Sequence, residues 1–266
     1  MRGKFIFCLS LTGTLFTCTP KSEKNVDVAN RIEFTVQRTL PHDTKAFTQG
    51  LLIHQGQLYE STGQEESWIG IVDIATGIAK RKVELDKKYF GEGIAILNSK
   101  VFQITWRDKA GFIYRFPSFE KIGEFTYTGE GWGLATDGKN LIMSNGTEEI
   151  SFLDTVTLKP VRTLSIKHQG EAVTNLNELE YVDGFLYANI WQTDLIAQID
   201  IVTGEVKGFL DLSILTQRAR AVNPKIDVLN GIAWHPATKT MLVTGKFWPF
   251  IFILKLKDQK QSPSTR

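Results

Sequence analysis

The sequence predicts an all-β fold: a five-bladed β-propeller of four-stranded blades, its ring closed by an N-terminal strand. Three observations carry this. A hairpin pattern recurs five times, beginning at residues 50, 93, 133, 178 and 231, so the spacings are 43, 40, 45 and 53 residues. Four strands in roughly 40 to 45 residues is the period of a propeller blade. The composition, with 22 Gly, 8 Pro and 17 Phe beside 6 Trp and 6 Tyr, suits many short strands joined by glycine-bearing turns. A β-sandwich or two small β domains is the competing architecture, and the regular spacing argues against it.

The chain opens with Arg2 and Lys4 before an apolar run from Phe5 to Phe16. This reads as a secretory signal over residues 1–18, too short to span a bilayer as a stable helix. Leu15-Phe16-Thr17-Cys18 resembles a relaxed bacterial lipobox, so Cys18 is the expected lipidation site; a plain signal with an incidental Cys is the alternative. Residues 19–30 are polar, as a tether would be, and residues 31–257 form the propeller. Within it, Arg31 to Leu40 alternates well enough to supply the outer strand that the fifth unit lacks, which would hide the sheet edges. Residues 258–266 are a polar tail.

Each unit then begins with an apolar strand, a turn and a second apolar strand. Gly50-Leu51-Leu52-Ile53 turns at Gly56, Gly93-Ile94-Ala95-Ile96 at Asn98-Ser99, and Gly133-Leu134-Ala135-Thr136 at Asp137-Gly138. Glu178-Leu179-Glu180-Tyr181 turns at Asp183-Gly184, and Gly231-Ile232-Ala233-Trp234 at His235-Pro236. Third strands are read near Ile69, Phe112, Ile150, Ile196 and Phe250. The long fourth spacing holds one insertion, about Ser213 to Val228, with a short helix over Leu215 to Val222 stopped by Pro224; it is a candidate lid or rim segment.

Composition excludes several functions. Net charge is +2, from 31 basic and 29 acidic residues, so no basic excess marks a nucleic-acid partner. Cys8 and Cys18 are the two cysteines, leaving the body without a disulfide, a thiolate nucleophile or a Cys-based zinc site. His42, His54, His168 and His235 show no metal-ligand spacing, so neither metal nor cofactor is expected.

In a propeller the first strand of each blade lines the channel, and its end gathers a ligand site. Phe47-Thr48-Gln49, Glu92, Glu130-Gly131-Trp132, Asn177-Glu178 and Asn230 sit at the starts of first strands; Glu60, Trp106, Asn145, Trp191, Lys246 and Trp248 sit at the ends of second strands. At equivalent repeat positions these make a cavity with an aromatic wall and a few polar anchors. Glu92 lies between Gly91 and Gly93, read as letting a ligand come close.

The motifs Phe47-Thr48-Gln49-Gly50-Leu51, Gly91-Glu92-Gly93-Ile94, Thr105-Trp106, Gly131-Trp132-Gly133-Leu134, Asn177-Glu178-Leu179-Glu180, Asn189-Ile190-Trp191, Asn230-Gly231-Ile232-Ala233 and Val243-Thr244-Gly245-Lys246-Phe247-Trp248 resemble the glutaminyl-peptide cyclotransferases of the plant and bacterial type. The likeness runs from about Arg31 to Leu256 and touches all five units. It implies a five-bladed propeller and a metal-independent acyltransferase that cyclises an N-terminal glutamine to pyroglutamate and releases ammonia. It also implies roles: Glu92 as the proton-carrying catalytic residue with Lys246 beside it, Gln49 and Asn177 as polar anchors, and Phe47, Trp106, Trp132 and Trp191 as the aromatic wall. Glu60 reads as a structural hydrogen-bonding residue and Trp248 as peripheral. The expected partners are peptides or proteins with N-terminal Gln, handled by an exported monomer of the periplasm or cell envelope, with membrane contact only through the N-terminal lipid. A non-catalytic propeller of the envelope that binds peptides is the alternative, and a lactonase- or dehydrogenase-type propeller lacks the convergent carboxylates it would need.

Overall fold

Successive hairpins in one chain can hide their edges only by closing on themselves. The computed structural model describes residues 30–257 apart from residue 65; the readings of a signal, of lipidation at Cys18 and of a polar tail lie outside the described residues. Blade I comprises Thr48–His54, Gln57–Thr62, Trp68–Val72 and Ala79–Glu84. Blade II comprises Gly91–Leu97, Lys100–Thr105, Ala110–Arg115 and Glu120–Thr126. Blade III comprises Leu134–Thr136, Asn140–Ser144, Glu149–Asp154 and Pro160–Ser165. Blade IV comprises Leu176–Val182, Phe185–Ile190, Leu195–Asp200 and Val206–Asp211. Blade V takes Leu229–His235, Thr240–Gly245 and Phe250–Leu256 from the end of the chain and Phe34–Pro41 from its beginning. The closing pair is antiparallel, with Phe34 opposite Leu256 and Pro41 opposite Phe250.

Local chemistry sets the turns. The first hairpins of blades I, II and IV turn through Gln55-Gly56, Asn98-Ser99 and Asp183-Gly184, each with both residues at positive φ, the twist that two-residue hairpins require. Between the third and fourth strands, Asp73, Asp154 and Asp200 accept backbone N–H groups two and three residues on, which closes those turns without help from the core.

Apolar side chains of adjacent blades interdigitate, giving one buried cluster at each blade interface. The inserted helix, Ser213–Val222, belongs to one of them: Leu215 and Ala219 are fully buried with Ile196, Ile232 and Trp248 between blades IV and V. It is therefore an anchored element. The segment that follows it reaches the channel mouth, so the insertion supplies rim and the helix is no lid.

Candidate active site

The inner strands share a distortion that aims their first residues. In blade II, Gly91 is opposite Thr105 and Ile94 is opposite Gln103, so Glu92 and Gly93 together face one residue of the second strand. The same extra residue occurs at Gln49-Gly50, Asn177-Glu178 and Asn230-Gly231. In blade III, Trp132 and Gly133 together face Ser144: the Trp132 N–H donates to Ser144 O, and the Ser144 N–H donates to Gly133 O. Such bulges bend a strand and re-aim a side chain. Their first positions are Gln49, Glu92, Trp132, Asn177 and Asn230, and the first four of these line one cavity.

The second bulge positions explain the glycines. A Cβ on Gly50 would stand 2.8 Å from the backbone N of Ile94, one on Gly93 2.3 Å from that of Leu134, and one on Gly133 2.1 Å from the carbonyl O of Asn177. The inner strands of neighbouring blades thus approach too closely for a side chain. Gly91 is equally closed in, with Thr62 O 2.6 Å from its would-be Cβ. The glycines flanking Glu92 serve packing between and within blades, not ligand approach.

Blade IV places Glu178 at that second position, and its side chain crosses the channel. Its two carboxyl oxygens accept the backbone N–H of Leu51 at 3.1 Å and of Ile232 at 2.8 Å, tying blade IV to blades I and V. Burial, with Glu180 nearby, raises this carboxyl well above the usual range.

The cavity at the bulged end has a volume of about 390 Å³. All eight residues expected from the sequence line it: Phe47, Gln49, Glu92, Trp106, Trp132, Asn177, Trp191 and Lys246. Glu92 is buried, and its Oε1 accepts Gln49 Nε2 at 2.8 Å. Gln49 is oriented in turn by Asn230, whose Nδ2 donates to Gln49 Oε1 at 3.1 Å. The other Glu92 oxygen, Oε2, is buried with no partner, as is Asn177 Oδ1. Buried acceptors without donors are rare and demand an explanation.

Burial drives the Glu92 carboxyl well above the ordinary range, a rise that Lys246 partly offsets and Glu130 reinforces. Burial also lowers the Lys246 ammonium, against the pull of Glu92 and Asp227. Glu92 and Lys246 act on each other through space, and the Lys246 Nζ stands 4.5 Å from the Phe47 ring centroid. Lys246 is held by its backbone: its N–H donates to Val228 O, and the N–H of Phe247, at positive φ, donates to Ala46 O.

The aromatic wall is braced from behind. Trp106 Nε1 and Trp132 Nε1 both donate to Glu130 Oε2, at 2.7 and 3.0 Å, while Arg107 Nε donates to Glu130 Oε1 and its guanidinium stacks 3.8 Å from the Trp106 ring centroid. These bonds hold the Glu130 carboxylate below its usual range despite partial burial. Trp132 meets Trp191 edge to face at 5.5 Å, and Phe90 bridges Phe47 and Trp106. Sequence reasoning named Glu130 only as a flank of Trp132; the clamp depends on two indoles 26 residues apart, one after the second strand of blade II and one before the first strand of blade III, and has no signal in the chain order. It also missed Gln192, Asp227 and Val228, which enter the lining from a turn and from the inserted segment. Glu60 lies outside the cavity, buried in a network with His42 and Thr48, as its structural reading expects. Trp248 is buried too, donating to Asp227 O.

Residues 9–256 match the family described as glutamine cyclotransferase. Over 242 residues the chain is 40% identical to the glutaminyl-peptide cyclotransferase of Arabidopsis thaliana, an alignment covering 89% of this chain and 76% of that protein. Among solved structures it is similar to the glutaminyl cyclase of Myxococcus xanthus, at 34% identity and a TM-score of 0.81, over 86% of this chain and 98% of that one. A match across nearly all of the described propeller, through the strands that carry the cavity, shows that the chain belongs to the glutamine cyclotransferase family.

Proposed function

We propose that this protein cyclises the N-terminal glutamine of peptides or proteins to pyroglutamate, with Glu92 carrying the proton. Family membership supports the reaction. The observation that carries the role of Glu92 is the pair of orphaned acceptors, Glu92 Oε2 and Asn177 Oδ1, in an aromatic-walled cavity. A ligand that completes them must bring hydrogen-bond donors. An N-terminal glutamine brings two such groups, its α-amine and its γ-carboxamide.

In this reading the α-amine nitrogen attacks the γ-carboxamide carbon, forming the ring C–N bond. Glu92 takes the proton released by the amine and delivers it to the carboxamide nitrogen, whose bond to carbon then breaks, so that ammonia leaves. A carboxyl lifted by burial is suited to both halves of this transfer, since its two protonation states lie closer in energy near neutral pH. Gln49 reports to Glu92 through its 2.8 Å hydrogen bond and fixes which oxygen faces the substrate. The Lys246 ammonium stabilises the oxyanion that develops on the carboxamide oxygen. Phe47, Trp106, Trp132 and Trp191 fold the flexible side chain toward the five-membered geometry and exclude the water that would yield glutamate instead. Export, and lipidation at Cys18, are part of the same proposal; fractionation of cells bearing C18S would test the anchor, which fails if the variant stays with the membrane.

The direct test is incubation of the purified protein with a Gln-Ala dipeptide. Ammonia and a pyroglutamyl product are expected; Glu-Ala in its place, or no ammonia, would sink the assignment.

A further inference from the structure

An N-terminal residue enters the cavity with a polypeptide attached, and that polypeptide needs a way out. The cavity shares Phe47 and Phe90 with a larger groove of about 990 Å³ between loops of blades I, II and V. Lys45, Lys87, Lys88 and Lys225 line this groove, against one acidic lining residue, Glu66, among the described residues. All four lysines are exposed, and they come from three separate loops, so the chain folds to gather them. Among the described residues, only Lys88 of the four has an acidic partner within 4.0 Å, Asp86. Tyr89 and Phe247 give the groove an apolar floor continuous with the aromatic wall, since Phe247 packs 5.2 Å from Phe47.

A second opening leads the other way, over the helix. It shares Gln192, Asp227 and Val228 with the cavity and carries Asp194 and Asp227 against Arg220. The two exits therefore differ in sign. From this we infer that the groove of blades I, II and V receives the polypeptide downstream of the N-terminal glutamine, and that it selects substrates with acidic side chains in the first few residues after it. The inference rests on the proposed reaction at the cavity. Its occupant is the substrate's own chain: Glu92 marks the closed end, Phe47 and Phe90 the threshold, and the lysines meet side chains that follow. Exposed pairs contribute modestly and are screened by salt, so they act on selection among substrates more than on turnover.

The test is a panel of three peptides, Gln-Ala followed by three alanines, by Asp-Glu-Asp, or by Lys-Lys-Lys, assayed for ammonia at low and at high salt. The acidic peptide should exceed the basic one in kcat/KM by roughly tenfold at low salt, mainly through KM, and the gap should shrink at 1 M salt. K87E combined with K225E should reverse the ranking, whereas R220E, on the opposite exit, should leave it as in the wild type. Equal kcat/KM for the three peptides, with ammonia released from each, would overturn the groove and leave the cyclase reading standing. Reversal by R220E and not by the lysine variants would move the exit to the helix side. Absence of ammonia from all three peptides and from Gln-Ala would instead overturn the reading on which the groove rests.

Discussion

Two glutamates, Glu92 and Glu178, start inner strands of the same ring, and both are buried with carboxyls raised by burial. They differ by one position within the bulge. Glu92 holds the first position, which faces the cavity; Glu178 holds the second, which faces the neighbouring strands. Every oxygen of Glu178 has a backbone donor, so its carboxyl works as a strut across the channel. Glu92 has one oxygen engaged and one bare. The lesson is that burial and a perturbed carboxyl do not by themselves mark a catalytic group. What separates the carboxyl proposed for chemistry from the one that braces the scaffold is an unspent hydrogen-bonding site facing the cavity.

The contrast can be broken by substitution. E92Q is expected to lower kcat by about 10² to 10⁴ while leaving the thermal midpoint unchanged or higher, because an amide still accepts from Gln49. Stopped turnover measurements with parallel thermal melts decide it, and retained turnover would move the proton transfer elsewhere. E178A should do the reverse. It strands the buried N–H groups of Leu51 and Ile232, at about 1–3 kcal/mol each, so denaturant unfolding should shift strongly. The protein that remains folded should lose far less kcat than E92Q; an equal loss would erase the distinction between the two acids.

Much of this arrangement is legible in the chain. The repeat of apolar, turn, apolar gives the blades, and register within the repeat brings together residues as distant as Gln49 and Lys246. The bulge is not legible, because it depends on pairing between strands. Sequence therefore puts Glu92 and Glu178 in one group of strand-start acids without saying which way each points. The same blindness misassigned Gly91 and Gly93, whose constraint comes from Thr62 O and from the backbone of the next blade. Glu130 and Asp227 escaped for a related reason: each takes its importance from partners that only the fold supplies.

Glu130 allows a finer test, since it acts on the cavity from outside. E130Q keeps the shape but weakens the charge-assisted bonds to Trp106 and Trp132, a loss near 1.5 kcal/mol or about tenfold in kcat/KM, accompanied by a shift in tryptophan emission. A tenfold kinetic loss with unaltered emission would contradict a positioning role. The last test reads stability against pH, at Glu180, two residues beyond Glu178 in the same strand. Burial pushes the Glu180 carboxyl up to about 8, while its Oε1 accepts the N–H of Trp234. The unfolded chain loses that proton near pH 4.3. Between those values the folded state holds a proton the unfolded state has shed, so this group makes stability fall as pH rises from about 5 to 8. E180Q should flatten that decline in melts taken across the range; an unchanged slope would assign it to other groups.

The strand that closes blade V has a temporal meaning. Phe34–Pro41 is among the first propeller segments to be synthesised, and its partner Phe250–Leu256 is the last. Until that partner emerges, the early strand lacks its ladder, although Ile32 can already dock on Phe209 of blade IV. Completion of the domain thus waits for its last strand. A chain ended at residue 249 carries an unmatched strand with free backbone donors and acceptors, which invites pairing between molecules; size-exclusion profiles of that truncation, against the full chain, would show whether they associate.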